Sequence, residues 1–203
     1  MTGNKTYMGI ASLALAFLGC MVFLAFTADR QASAVSDSVL RFHVVANSDD
    51  ARDQELKLLV RDEIARLTDK MFATAQSKEQ AIEIVAQNQT EIQTAAKAVL
   101  LENGCTDDVE VEIKNLFFPT KHYENVTFPA GTYDAIHITI GEGKGKNFWC
   151  VMFPALCVPS VSKDNAELLS SVLGEEEVQL VTHPYTLKFK TAELLGKLKH
   201  LFQ

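Results

Sequence analysis

Gly131 to Cys157, GTYDAIHITIGEGKGKNFWCVMFPALC, constrains this chain more than any other stretch. Ile136, Ile138 and Ile140 fall on one side of an extended segment, and Tyr133, Ala135, His137 and Thr139 on the other. That period-2 alternation predicts a strand covered on at least one face. Gly141, Gly143 and Gly145 then supply backbone freedom for a sharp reversal, while Lys144 and Lys146 keep the tip solvated. The second arm, Phe148 to Phe153, is almost wholly apolar and predicts a central, buried strand. The two arms together read as a hairpin followed by a proline corner at Pro154.

The flanking sequence supplies the partners such a sheet needs. Val39 to Ala46 is a strand candidate, broken by Asn47-Ser48-Asp49-Asp50, which also provides an N-cap. Leu56, Leu59, Val60, Ile64, Leu67 and Met71 then recur at three- and four-residue steps, the stripe of an amphipathic helix. A second helix starts at the capping box Ser77-x-x-Gln80 and closes at Asn103-Gly104, with Ala81, Ile84, Val85, Ile92, Ala96, Val99 and Leu100 inward. Val109, Val111 and Ile113 alternate with Glu110, Glu112 and Lys114, a strand with one wet face. Thr120 to Pro129 reads as a loop with some strand content. Beyond the proline corner the pattern predicts a short helix over Asn165 to Leu173 and an acidic turn over Gly174 to Gln179. A strand over Tyr185 to Phe189 and a closing helix over Thr191 to Leu201 follow. Helices and strands are segregated, so the fold class is α+β: an antiparallel or mixed sheet, a helix pair and a C-terminal helix. At 203 residues and 47% hydrophobic, the chain is long enough for one domain with a full core.

Ahead of that domain, Thr6 to Ala28 carries no charge and Lys5 precedes it. A helix of about 20 apolar residues spans a bilayer of roughly 30 Å. Residues 7–28 therefore either anchor the chain or form a long signal sequence. Ala32-x-Ala34 is an acceptable cleavage site before Val35. On either reading residues 1–34 are a targeting segment, Lys5 stays inside, and 35–203 is an exported domain. The formal charge of −7 leaves no basic patch for phosphate neutralisation, which argues against nucleic-acid binding. The exported part holds Cys105, Cys150 and Cys157. Cys150 and Cys157, closest in sequence with Pro154 between them, are the candidate disulfide, and two buried free thiols are the alternative.

Chemistry is sparsely signalled. The five histidines lack ligand spacing, so no metal site is expected. Gly141-x-Gly143-x-Gly145 has no helix after it to receive a phosphate, so no nucleotide or other small-molecule cofactor is expected. Trp149 reads as core packing, and His43, on an apolar strand, as a hydrogen-bonded strand histidine. A Cys-His-Asn hydrolase acting on cell wall or peptide is conceivable, with Cys150, Asn147 and one of His43, His122, His137 or His183. Against it, Cys150 lies mid-strand among bulky apolar residues, where a thiol is inert.

Four segments together carry a family resemblance: Arg41 to Asp49 (RFHVVANSD), Asp53 to Asp62, Phe117 to Lys121 with Pro129 to Gly131, and Gly141 to Cys157. Taken together the chain resembles the stage II sporulation protein R family of endospore-forming bacteria across its exported part. It departs from the family pattern at His137, Phe148 and Ala155, where a basic residue, a second tryptophan and a proline are common. The resemblance implies a protein made in the forespore and exported into the space between the septal membranes. There it would activate a membrane-embedded aspartic protease that removes the pro-sequence of sigma factor E. It implies a ligand rather than an enzyme. The expected contact surface is the strand end and turn His43, Asn47, Asp49 and Asp50, the loop with Lys121, and the tip Glu142, Lys144, Lys146 and Asn147. These are polar groups at breaks between buried elements, where binding residues concentrate.

Overall fold

The structure, a computed structural model, describes residues 3–123, 126–157 and 169–182. From the N-terminus the elements are α1 (Gly3–Ser38), β1 (Leu40–Val45), α2 (Ala51–Met71), α3 (Lys78–Gln87), α4 (Gln89–Glu102), β2 (Val109–Phe118), β3 (Lys121–Tyr123), β4 (Val126–Phe128), β5 (Gly131–Ile140), β6 (Asn147–Phe153) and α5 (Glu175–Thr182). The α+β expectation holds, and the sheet is mixed. Its order is β2-β5-β1-β6, with β1 parallel to β5 and the other pairs antiparallel.

That order corrects the expected hairpin. The arms β5 and β6 do not touch; β1 lies between them. The glycine-rich loop therefore passes over the end of β1 instead of turning back on its own strand. All six β1 residues are buried, so it is β1 and β5, not the apolar β6, that hold the centre. As an outer strand β6 is still apolar because both its faces are covered. Both outer strands are blunted against further pairing. Gln89 and Gln93 of α4 donate to the Val111 and Val109 carbonyls on β2. The Tyr123 hydroxyl and the Leu156 N–H donate to the Trp149 and Val151 carbonyls on β6.

Two cores sit on the two faces. Against α2, α3 and α4 lie Leu40, Phe42, Val44, Val109, Val111, Ile136, Ile138, Ile140, Cys150 and Met152. The other core joins Val35, Val39, Phe118, Val126, Phe128, Tyr133, Ala135, Val151 and Val181. It packs the end of α1, the small β3–β4 hairpin and α5 onto the sheet.

The helices follow their sequence signals with four changes. In α2, Leu56, Val60 and Ile64 point inward as expected, but Leu59 is 38% exposed, just outside the stripe. Asp50 stands at the α2 N-cap without a side-chain cap bond, so its expected capping role is not made. The single second helix is two, because the Asn88 side chain donates to the Ile84 carbonyl at 2.8 Å and the backbone leaves helical angles there. Ser77 accepts from the Gln80 N–H, and Gln80 Oε1 reaches back to the Gln76 N–H at 2.8 Å. At the far end Gly104 (φ +70°) makes a Schellman closure, with Cys105 N–H to Leu100 O and Gly104 N–H to Leu101 O. The expected acidic turn is instead the start of α5. Glu175, Glu176 and Glu177 occupy its first turn, where the helix dipole favours negative charge. Most of the Asn165–Leu173 helix, the Tyr185–Phe189 strand and the Thr191–Leu201 helix lie outside the described residues.

At the N-terminus α1 runs unbroken through Ala32 and Ala34 to Ser38. Among the described residues no helix is long and apolar enough to cross a membrane. Much of the uncharged run lies outside the described side chains; Leu15 to Phe23, which are described, are exposed. Lys78 Nζ ties α3 to Asp134 Oδ2 at 2.8 Å and to the Ser36 carbonyl at 3.4 Å, which holds the end of α1 against the domain.

Candidate functional site

At one end of the sheet, the turn after β1 and the loop between β5 and β6 are knotted together. Gly145 N–H donates to the Ala46 carbonyl and Lys144 N–H to the Asn47 carbonyl. Asn47 Oδ1 accepts from the Glu142 N–H at 2.9 Å, and Asp49 Oδ1 from the Lys146 N–H at 2.7 Å. The glycines are explained by this crossing. Gly141 and Gly143 have positive φ, and a Cβ on Gly145 would stand 2.2 Å from the Ser48 carbonyl oxygen. Buried Lys57 underpins the tip, donating to the Lys146 carbonyl at 2.9 Å and to Gln54 Oε1. Below the turn, Asp53 Oδ2 accepts from the Ser48 hydroxyl and the Asn47 amide, and these bonds, Ser48's first, hold its carboxyl below the usual range.

The sheet face away from α2 carries the chemistry. Register places Glu112, His137, His43 and Trp149 in one row across β2, β5, β1 and β6, and Glu110, Thr139, Val45 and Asn147 in the next. His43 stacks on Trp149 with ring centroids 3.9 Å apart and an interplanar angle of 1°. Its Nδ1 is 2.9 Å from His137 Nδ1, and its Nε2 is 3.0 Å from Asn147 Oδ1. His137 Nε2 is 3.1 Å from the Thr139 hydroxyl. Asn147 presents an acceptor, so the proton of neutral His43 is on Nε2. Its Nδ1 then accepts from His137 Nδ1–H, and His137 Nε2 accepts from Thr139. Donation runs from Thr139 through His137 and His43 to Asn147. Two protonated imidazoles could not share the contact. Burial pushes His43 down to about 4, opposed by the Asn147 bond and reinforced by His137. Burial also lowers His137, with Lys114 adding to the shift and Glu112 opposing it.

One row further along the same face, Arg41 is fully buried. Its guanidinium carbon lies 4.5 Å from the Phe118 ring centroid, 5.0 Å from Tyr133, 5.2 Å from Phe128 and 5.8 Å from Tyr123. Nε donates to the Cys150 carbonyl at 3.0 Å and Nη2 to the Tyr123 hydroxyl at 2.9 Å, while Nη1 has no partner among the described residues. Ring faces take the place of a carboxylate here. Burial raises both cage phenols well above their ordinary range, against the pull of Arg41.

Of the residues expected at a contact surface, Asn47, Asp49, Glu142, Lys144 and Lys146 are brought together in the knotted loops. His43 and Asn147 meet beside them on the sheet face. Asp50 is exposed at the start of α2. Glu142 pairs with Lys144 at 2.7 Å. Lys121 lies apart from the loop tip, its Nζ 5.9 Å from the Trp149 ring, so it joins the patch through Trp149. His137, Thr139 and Trp149 complete the patch and were not expected there. Only cross-strand register, invisible in a single sequence, reveals them. Cys150 belongs to the opposite face, in the core under α2, where its thiol donates to the Val151 carbonyl at 3.8 Å. His43 and His137 are across the sheet from it, and His122 bonds Thr127, so among the described residues no imidazole stands as a base for Cys150. Cys150 and Cys157 are free thiols, and no described group of His, Cys, Asp and Glu is arranged to hold a metal.

Comparison with known proteins bears on this geometry. The family profile for stage II sporulation protein R matches residues 36–163, from the last turn of α1 past β6. Stage II sporulation protein R of Bacillus subtilis (strain 168) is 32% identical over 167 residues, covering 81% of this chain and 75% of that protein. No solved structure matches.

Proposed function

The chain belongs to the stage II sporulation protein R family, and on that premise we propose that it is an exported signal of sporulation. Made in the forespore and passed through the membrane, it docks on a membrane-embedded aspartic protease of the mother-cell septal membrane. Docking favours the active arrangement of that protease, which then processes pro-sigma-E. The supporting observation is the family match over the folded domain, placed behind the uncharged run Thr6 to Ala28. The docking surface is the end of the sheet where the knotted loops meet the His43–Trp149 patch, with Lys121 at its border. Its buried bonds fix the shape of an exposed rim, as a surface read by a partner requires.

The test is co-expression with the candidate protease and its pro-sigma substrate in a non-sporulating host, scoring cleavage. Cleavage that depends on this chain is the expected result. Absence of cleavage when all three proteins accumulate, folded, would remove the activator reading. A second arm supplies residues 35–203 behind an unrelated signal sequence, and cleavage there would assign residues 1–34 to export alone.

A further inference from the structure

Cys150 and Cys157 are buried and belong to one core cluster. The chain between them reverses through Pro154, and the Leu156 N–H returns to the Val151 carbonyl. The other two cysteines have different surroundings: Cys105 lies beside Asp107 and Asp53 after α4, and Cys20 is exposed on α1. We propose that Cys150 and Cys157 form a disulfide when the folded domain meets an organic disulfide as oxidant.

The pair is polarised for that exchange. The interaction of the two thiols lowers the Cys150 thiol from its ordinary range, and the same interaction together with burial raises Cys157. Arg41 and Arg61 add to the preference for a Cys150 thiolate. The Cys150 thiolate attacks one sulfur of R–S–S–R, forming a mixed disulfide and releasing RS⁻. Cys157 loses its proton and attacks the Cys150 sulfur, forming the internal bond and releasing a second RS⁻. Two thiols lose two electrons and two protons; the organic disulfide gains them as two RSH. Of the residues between the two cysteines, Val151 to Pro154 are buried and Ala155 and Leu156 are half-buried. The closed ring would fasten the end of β6 to the turn that follows it.

This inference concerns the folded pair and stands whether or not the chain is exported. The experiment incubates the full-length chain with oxidised glutathione, quenches with acid, denatures, alkylates free thiols and maps the peptides by mass. Two of the four thiols are expected to disappear together, with the Cys150 and Cys157 peptides joined and Cys105 and Cys20 alkylated. The oxidised chain should also favour the folded state over the reduced chain by on the order of ten- to a hundredfold in a urea titration. Alkylation of both Cys150 and Cys157 after oxidation would overturn the proposal. So would mixed glutathione adducts that never resolve, or pairing of either cysteine with Cys105. Formation in the tube, with both thiols reduced in chain trapped from sporulating cells, would uphold the pair and count against export.

Discussion

Toward the helices, β1 and β5 present Leu40, Phe42, Val44, Ile136, Ile138 and Ile140, all buried and none polar. From the same strands the opposite face presents Arg41, His43, Ala135, His137 and Thr139, joined by hydrogen bonds and ring contacts. The first face is a stability device, where apolar area removed from water is the main term. The second takes Arg41 and His43 out of water, leaves His137 and Thr139 half-buried, and holds them in place with directional bonds. The contrast argues that function lies on the second face, because a core needs no histidine pair and no exposed asparagine to be a core.

The sharpest break of that contrast is on the helix side. Phe42→Ala leaves a void between Ile136 and Cys150 and is expected to destabilise the domain by ~3–5 kcal/mol, read from urea denaturation with an unchanged slope. On the other side, Arg41→Ala removes two charged hydrogen bonds and the cage occupant, an expected loss of ~2–4 kcal/mol. Arg41→Met keeps most of the volume and leaves fewer groups unpaired, so it should lose clearly less. If Arg41→Met is as damaging as Arg41→Ala, the guanidinium contributes more than filling. If Phe42→Ala proves milder than Arg41→Ala, the division of labour between the faces is wrong.

Legibility in the sequence divides along the same line. The alternation in β2 and β5 and the stripe in α2 were readable, because each reports a local period of burial. The insertion of β1 between β5 and β6 was not, since strand pairing over such separations leaves no local trace. One sign was present: six residues lie between Ile140 and Asn147, longer than a tight hairpin needs. The breaks that become the knotted loops are legible as polar, glycine-rich turns. Their bonds to one another were not legible, nor was the meeting of His43 with His137, 94 positions apart. Glu175 to Glu177 misled because an acidic run reads as a turn until its place at a helix start is known.

A gentler probe is proton activity. His43 titrates near 4 in the folded chain and near 6.5 when unfolded, and His137 is shifted the same way. Above about pH 6.5 neither state is protonated there, so stability is unaffected by these groups. Between about pH 6.5 and 4 the unfolded chain takes up protons that the folded chain refuses, so stability falls as pH falls. Glu112, which favours a charged His137, works against the trend, and Lys114 works with it. His43→Gln should flatten this part of the stability profile measured by urea titration at stepped pH. A profile as steep as the parent's would place the proton uptake elsewhere.

The smallest effect on folding should come from the rim, and there the two faces can be separated most cleanly. Lys121 and Asn147 are not part of either core; one lies over Trp149 and the other accepts from His43 at the edge. Lys121→Ala should change stability by no more than ~0.5 kcal/mol. Asn147→Ala leaves one donor of a buried histidine without its acceptor, an expected loss of ~1–2 kcal/mol. Neither should alter the amount of folded protein, yet both remove groups from the proposed docking surface. In the co-expression assay each should lower pro-sigma-E cleavage, whereas Leu59→Ala, an exposed change on the helix side, should not. If both rim variants cleave at the parental rate while Leu59→Ala impairs cleavage, the partner reads the helix face. The polar network of the sheet would then be a means of folding after all.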